Sequence, residues 1–187
     1  MLLYSRLEIG KSEIHYLIEK DVPSFELAIT TKTRKKFKLF TVHPKPPSPS
    51  QNSTSLPRDA ELIAIGKKAA ISDLPVLVTG VLNDVAWSHT TRLFMRISGL
   101  LDPRMGRGFF NTYHAHYPLL RRPLDHMFVS PHFKLKSIRR LDNFNSDHFP
   151  ICAELTIYDK EHSKKNLDEK TISDLREAQD KINRQES

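Results

Sequence analysis

The sequence predicts an α+β fold in one domain, and three observations carry that prediction. Short apolar runs, alternating or continuous, recur at 24–30, 37–42, 76–80, 124–129 and 151–157, the mark of half-buried or buried strands. Two longer stretches, opening at Pro57 and Ser88, space their apolar residues three and four apart, which is the helical period. And 187 residues with 39% hydrophobic content are enough to bury one core.

Taken in order, residues 13–20 and 24–30 read as strands, the second because Phe25, Leu27 and Ile29 alternate with Glu26 and Ala28. The basic run Lys32-Thr33-Arg34-Lys35-Lys36 is a solvated hairpin tip before a strand over Phe37–Val42. His43-Pro44-Lys45-Pro46-Pro47 follows; proline offers no N–H to a ladder, so the strand stops with His43 at its end. Ser48–Ser55 reads as a mobile loop by composition. Pro57 opens a helix through Ala70 with Asp59 and Glu61 in its first turn, as the helix dipole favours.

Pro75 to Gly80 is a short buried strand ending in a turn, and the polar pair Asn83-Asp84 emerges at its end. Ser88 caps a second helix whose apolar face is Leu93, Phe94, Ile97, Leu100 and Leu101. Residues 102–123 are irregular, and Arg104, Arg107, Arg121 and Arg122 lie among them. Arg107 and Asn111 are the candidate substrate-binding residues there, while Phe109-Phe110 either stack on a base or anchor the loop. His114 and His116 read as polar loop histidines, with no cysteine or second ligand pair beside them. Leu124–Val129 is a strand carrying Asp125-His126; Ser146-Asp147-His148-Phe149-Pro150 is a turn before a strand of alternating Ile151, Ala153, Leu155 and Ile157. Residues 159–187 form a charged helical or disordered tail outside the core, so the domain is expected over 1–158.

The net charge of +7 suits a polyanionic partner such as nucleic acid or another phosphate ester. Cys152 is the single cysteine and reads as a small core residue, so no disulfide forms within the chain. The first residues are too soon polar for a signal peptide, and no apolar run approaches the ~18 residues of a membrane span. The expectation is a soluble protein, cytoplasmic by default.

Three motifs at strand ends, Gly80-Val81-Leu82-Asn83, then Asp125-His126, then Ser146-Asp147-His148-Phe149-Pro150, resemble those of the endonuclease/exonuclease/phosphatase family, which includes deoxyribonuclease I. The resemblance implies a deoxyribonuclease I-like sandwich of two packed mixed sheets flanked by helices. It also implies hydrolysis of phosphate esters with a divalent cation, Mg2+ or Mn2+. His148 paired with Asp125, together with Asn83 and His43, matches the family's catalytic positions, and Asp147 its metal-binding aspartate. Such chemistry needs an activated water, neutralised phosphoryl oxygens and a stabilised leaving oxygen; a histidine held by a carboxylate serves the first or the last.

Two departures matter. The family's first motif reads Gly-Asp-x-Asn, and position 81 here is valine, which neither accepts a proton nor holds an ion. The upstream asparagine and Gln-Glu motifs are absent, so a domain incomplete at its N-terminus, with weak or no turnover, is expected. The alternative is a non-catalytic remnant that binds nucleic acid or another phosphate-bearing ligand.

Overall fold

The computed structural model describes residues 1–48, 54–160 and 169–186. Its elements are β1 (Glu8–His15), β2 (Ser24–Thr30), β3 (Lys36–Val42), α1 (Leu56–Ala70), β4 (Val76–Val81), α2 (His89–Ser98), β5 (Asp125–Val129), β6 (Phe133–Arg140), β7 (Ile151–Ile157) and α3 (Ile172–Glu186). Five strands form one mixed sheet in the order β1-β2-β3-β4-β5. Only β3 and β4 run parallel, because α1 carries the chain back across the sheet between them. β6 and β7 make a separate antiparallel ribbon.

Side chains alternate along a strand, so the large sheet has two unlike faces. Phe40, Val42, Val78 and Phe128 point towards α1 and α2 and join Leu62, Ile63, Leu93 and Phe94 in the main core. Leu27, Ile29, Phe37 and Leu77 point the other way, against Phe133 of β6 and Ile157 of β7. Phe37 and Phe133 meet edge to face, their centroids 5.6 Å apart. The expected two-sheet sandwich is therefore present, with its helices on one side. Its second sheet is a two-stranded antiparallel ribbon and not a mixed sheet.

Several expectations change in detail. The first strand occupies 8–15, not 13–20. It is an edge strand with a register shift between Ile9 and Ser12, so no alternation marks it, and Leu17 leaves it to pack on the main core. β6 went unforeseen because a shift between Leu135 and Ser137 puts Leu135 and Ile138 three apart, breaking the period of two. α2 ends one residue before Gly99, which takes a left-handed φ of 70° while its N–H returns to the Met95 carbonyl. Leu100 and Leu101 thus lie beyond the helix; Leu101 exchanges backbone hydrogen bonds with Val129 at 2.8 and 2.9 Å. Cys152 is half-buried on β7, outside the core clusters.

The tail is also corrected. Residues 172–186 are helical, and Ala178 is fully buried in the main core with Ile182 against it. Arg96 bonds Asp174 at 2.9 Å and Lys181 bonds Asp59 at 3.2 Å, tying α3 to α2 and α1. Residues 161–168 of the tail and 49–53 of the predicted mobile loop lie outside the described residues. Among those described, no helix is long and apolar enough to cross a membrane.

Candidate active site

The site begins with Gly80. Its φ is +152°, and a Cβ there would lie 1.8 Å from the Val42 carbonyl oxygen. Only glycine lets β3 and β4 approach this closely. The chain leaving β3 at His43 and the end of β4 at Val81 are thereby brought beside each other. On the far edge of β4, Val81 stands directly opposite Asp125 in the β4–β5 register. Both belong to the sheet face turned to the β6–β7 ribbon.

Asn83 follows in a left-handed conformation, φ 52°, which asparagine tolerates. It is fixed from two sides: its Nδ2 donates to the Pro44 carbonyl at 2.9 Å, and Arg58 Nη1 donates to its own carbonyl at 2.7 Å. Asp84 does other work. Its carboxylate accepts from the hydroxyls of Ser88 and Thr91 and from the Val85 N–H, fastening the start of α2. It supplies nothing in place of Val81.

Asp125 and His126 point to opposite faces of β5, as neighbours in a strand must. His126 is 3% exposed. Arg104 Nη2 donates to its Nδ1 at 2.7 Å, so Nδ1 carries no proton and Nε2–H donates to the Asp84 carbonyl at 2.8 Å. Burial, reinforced by the Arg104 charge, pushes its pKa down to about 4. This histidine is a neutral strut. Arg104 also pairs with Asp102 at 2.6 Å and donates to the Asp125 carbonyl at 3.0 Å.

On the other face, Asp125 Oδ2 holds His148 Nδ1 at 2.6 Å. The turn that carries His148 is stitched down on both flanks. Ala115 N–H donates to the Asp147 carbonyl at 2.7 Å and Phe149 N–H to the Thr112 carbonyl at 2.9 Å. The Phe149 ring lies between the guanidinium groups of Arg140 and Arg121, 4.2 and 4.9 Å from its centroid, and Tyr113 packs on His148 with centroids 4.9 Å apart. The hydrogen bond that His148 donates to Asp125 raises the His148 pKa; partial burial opposes this, and the charges of Asp125 and Asp147 add to it. His43 moves the other way. Loss of hydration lowers its pKa most, then the ammonium of Met1 and the charge of His148, against the pull of Asp125.

His43, Asn83, Asp147 and His148 line one cleft of about 790 Å³, with Val81, Tyr113 and Arg122 also in its wall. Asp125 stands behind His148. The structure does not bring Arg107 or Asn111 to the cleft. Arg107 donates to the carbonyls of Pro103 and Met105 in its own loop, at 3.1 and 3.3 Å, and the Asn111 carbonyl accepts from Arg140 at 2.8 Å. Arg122 was visible in the sequence only as one cation of several. Tyr113 gave no signal inside the irregular segment, and the support of Asn83 by Arg58, 25 residues away, gave none either.

For a metal ion, Asp147 presents an exposed carboxylate to the cleft. The one three-group cluster with ligand spacing among the described residues is Glu13, His15 and Glu26 on β1 and β2, outside the cleft. Glu26 is already engaged there by Lys38 at 2.6 Å and Lys68 at 3.2 Å. Burial works against its charge, but the hydrogen bonds from Lys38, Lys68 and His15 prevail and hold its pKa at about 2. That cluster is a satisfied ion-pair network.

A carboxylate-held histidine, an asparagine and a second histidine thus converge at the strand ends of a two-sheet sandwich, and that sandwich is a deoxyribonuclease I-like fold. The chain belongs to the endonuclease/exonuclease/phosphatase family, whose model matches residues 1–148. Solved structures agree in fold. The human nocturnin catalytic domain with bound sulfate is 15% identical at a TM-score of 0.63, over 82% of this chain and 61% of that one. TDP2 of D. rerio with a single-strand DNA product is 17% identical at 0.64, over 81% and 69%. A mannosyl-6-phosphatase of Bacteroides thetaiotaomicron is 21% identical at 0.61, over 81% and 67%. The chain thus spans roughly two thirds of the structures it resembles. No curated protein shows significant sequence similarity to it.

Proposed function

We propose that the cleft binds a phosphate ester and hydrolyses it with Mg2+ or Mn2+, and that Val81 keeps the turnover of this chain low. The observation that carries this reading is the 2.6 Å bond from His148 to Asp125 at the wall of a cleft shared with His43 and Asn83. The two histidines are pushed in opposite directions, His148 up and His43 down. Groups set apart in this way divide into acid and base. His148, whose proton is held more firmly and which is fixed through Nδ1, protonates the leaving oxygen; His43, shifted towards the neutral form, receives the proton of the attacking water. Asn83 retains an N–H for a phosphoryl oxygen, and Arg122 offsets phosphate charge. Magnesium takes one or two carboxylates and fills its shell with water and phosphate oxygens, so Asp147 fits as the protein's share, where the ion would neutralise phosphoryl charge. The sulfate of the nocturnin domain, the DNA product of TDP2 and the name of the mannosyl-6-phosphatase support phosphate-bearing substrates as the class.

Val81, opposite Asp125 where the family motif has aspartate, favours a second reading: a cleft that binds phosphate ligands, nucleic acid among them, without turning them over. One experiment separates the two. Release of nitrophenolate from bis(p-nitrophenyl) phosphate is followed with Mg2+ or Mn2+, beside NMR titration of the histidines with inorganic phosphate. Slow metal-dependent release, lost in His148→Ala, supports hydrolysis. Phosphate perturbing His148 with no release under either metal supports the second reading. A His148 indifferent to phosphate refutes both.

A further inference from the structure

We propose that the cavity between α2 and the 102–109 loop is a second binding site, for a small ligand with an apolar body and one anionic group. The main core takes Leu93, Phe94 and Ile97 from α2. Met95 packs on the edge of that core and also lines a cavity of about 510 Å³, closed by Leu100, Leu101 and Met105. That volume falls in the range of small-molecule pockets, roughly 300–1,000 Å³. Trp87 and Phe109 stand at the opening, edge to face at 5.4 Å. They and Met105 are 53%, 66% and 56% exposed. Three large apolar side chains left in water around one opening mark a recognition surface, since isolated exposed residues do not gather this way.

Charge decides which ligand fits. Arg96 is taken up by Asp174, and Arg104 by Asp102 and His126. Arg92, one turn before Arg96 on the same helix, is exposed at the wall and makes no side-chain hydrogen bond or ion pair among the described residues. The uncommitted charge at the opening is therefore positive, and the wall behind it is apolar. An apolar chain or ring enters between Met95 and Met105, and its anionic end meets Arg92. No residue lines both this cavity and the catalytic cleft. The buried pair Asp102–Arg104 stands between them, and Arg104 touches the Asp125 backbone from the cavity side. The site therefore does not depend on the catalytic reading.

Trp87 is the chain's single tryptophan, so its emission reports occupancy directly. The full chain is titrated with octanoate and, separately, with octylamine, which has the same body and the opposite charge. Octanoate is expected to give a saturable blue shift, and octylamine to bind at least about tenfold more weakly. Arg92→Glu is expected to weaken octanoate by about tenfold. Met105→Asp, which sets a charge at an exposed apolar rim, is expected to abolish the shift. Both variants alter exposed residues and are expected to melt like the parent. The proposal is overturned by no saturable change up to about 10 mM octanoate, by equal binding of octylamine, or by either variant binding as the parent does. A concentration-dependent dimer that shields Trp87 would give the surface to a second copy and overturn it equally.

Discussion

Val81→Asp is the substitution on which the catalytic reading turns. Val81 and Asp125 are paired across β4 and β5, and residues directly opposite on one face have Cβ atoms about 5 Å apart. A carboxylate at 81 therefore stands about 5 Å from that of Asp125. Two unit charges at that distance repel by about 3 kcal/mol at an effective dielectric of 20 and by about 1 kcal/mol in water. Val81 is half-buried, so the metal-free variant should lose about 1–3 kcal/mol. In a domain of this size each kcal/mol moves Tm by about 2–4 °C, giving a fall of about 2–12 °C. A divalent cation relieves the repulsion. At a hundredfold excess over its Kd it returns about 2.7 kcal/mol, so Mn2+ should restore most of the Tm of the variant and raise it by more than it raises that of the wild type. With a carboxylate able to orient the attacking water, metal-dependent phosphodiesterase activity should rise by about 10²-fold or more. The assays are thermal melting with and without Mn2+ and bis(p-nitrophenyl) phosphate hydrolysis. A variant whose melting responds to Mn2+ no more than the wild type, and whose activity does not rise, would show that no metal-assisted site lies at these strand ends.

Three further outcomes follow from the same geometry. Asp125→Asn should return the raised His148 pKa towards its ordinary value, seen in the NMR titration of its ring; since a raised histidine contributes stability below its unfolded pKa that fades as pH rises through the folded one, the variant should also show a flatter loss of urea stability as pH rises above about 6.5. His126 has the opposite sign: with its pKa depressed to about 4, stability present at neutral pH is lost as pH falls from about 6.5 to 4, by about 3 kcal/mol in all. Urea unfolding across that window should be visibly shallower in His126→Gln, and equal slopes would remove His126 from the account. Gly80→Ala places a methyl 1.8 Å from the Val42 carbonyl oxygen and should cost more than about 3 kcal/mol or abolish soluble folding; a parent-like Tm would refute the close strand approach.

What the sequence revealed, and what it hid, follows from how each feature is encoded. β2, β3, β4, β5 and β7 were legible because each buries one face or both in a regular alternation. β1 and β6 were not, because each carries a register shift that breaks the period. The tail's helix was one of the two forms expected, but its place against the core was hidden for another reason: the apolar contact is small, Ala178 with Ile182 beside it, and Asp174 and Lys181 add ionic attachment. Ile172, Leu175, Ala178 and Ile182 make only a thin apolar stripe, too thin to announce a core contact. The Asp125–His148 pair was legible only through the motifs, since nothing in a spacing of 23 residues says that the two meet. The supports of the site, Arg58 beneath Asn83 and Tyr113 against His148, are contacts between distant segments with no local pattern at all.

Those supports explain how the cleft keeps its shape with valine at position 81. Thr112, 0% exposed, offers its carbonyl to Phe149 and its hydroxyl to the Asp125 N–H, and Tyr113 pairs its backbone with both Arg122 and His148. The irregular segment is thus the splice between β5 and the turn before β7, and it holds the two halves of the pair together whether or not anything reacts there. Val81 touches none of these bonds. A β-branched residue suits the end of β4, and it spares the fold the repulsion that two facing carboxylates would impose. The exchange is neutral or favourable for folding, and under the proposed hydrolysis it would be costly for catalysis, the usual opposition between stability and a charged active site. Under the proposed hydrolysis, the integrity of the His148–Asp125 geometry and the rate of turnover would therefore vary independently in this chain, and position 81 is where they would part.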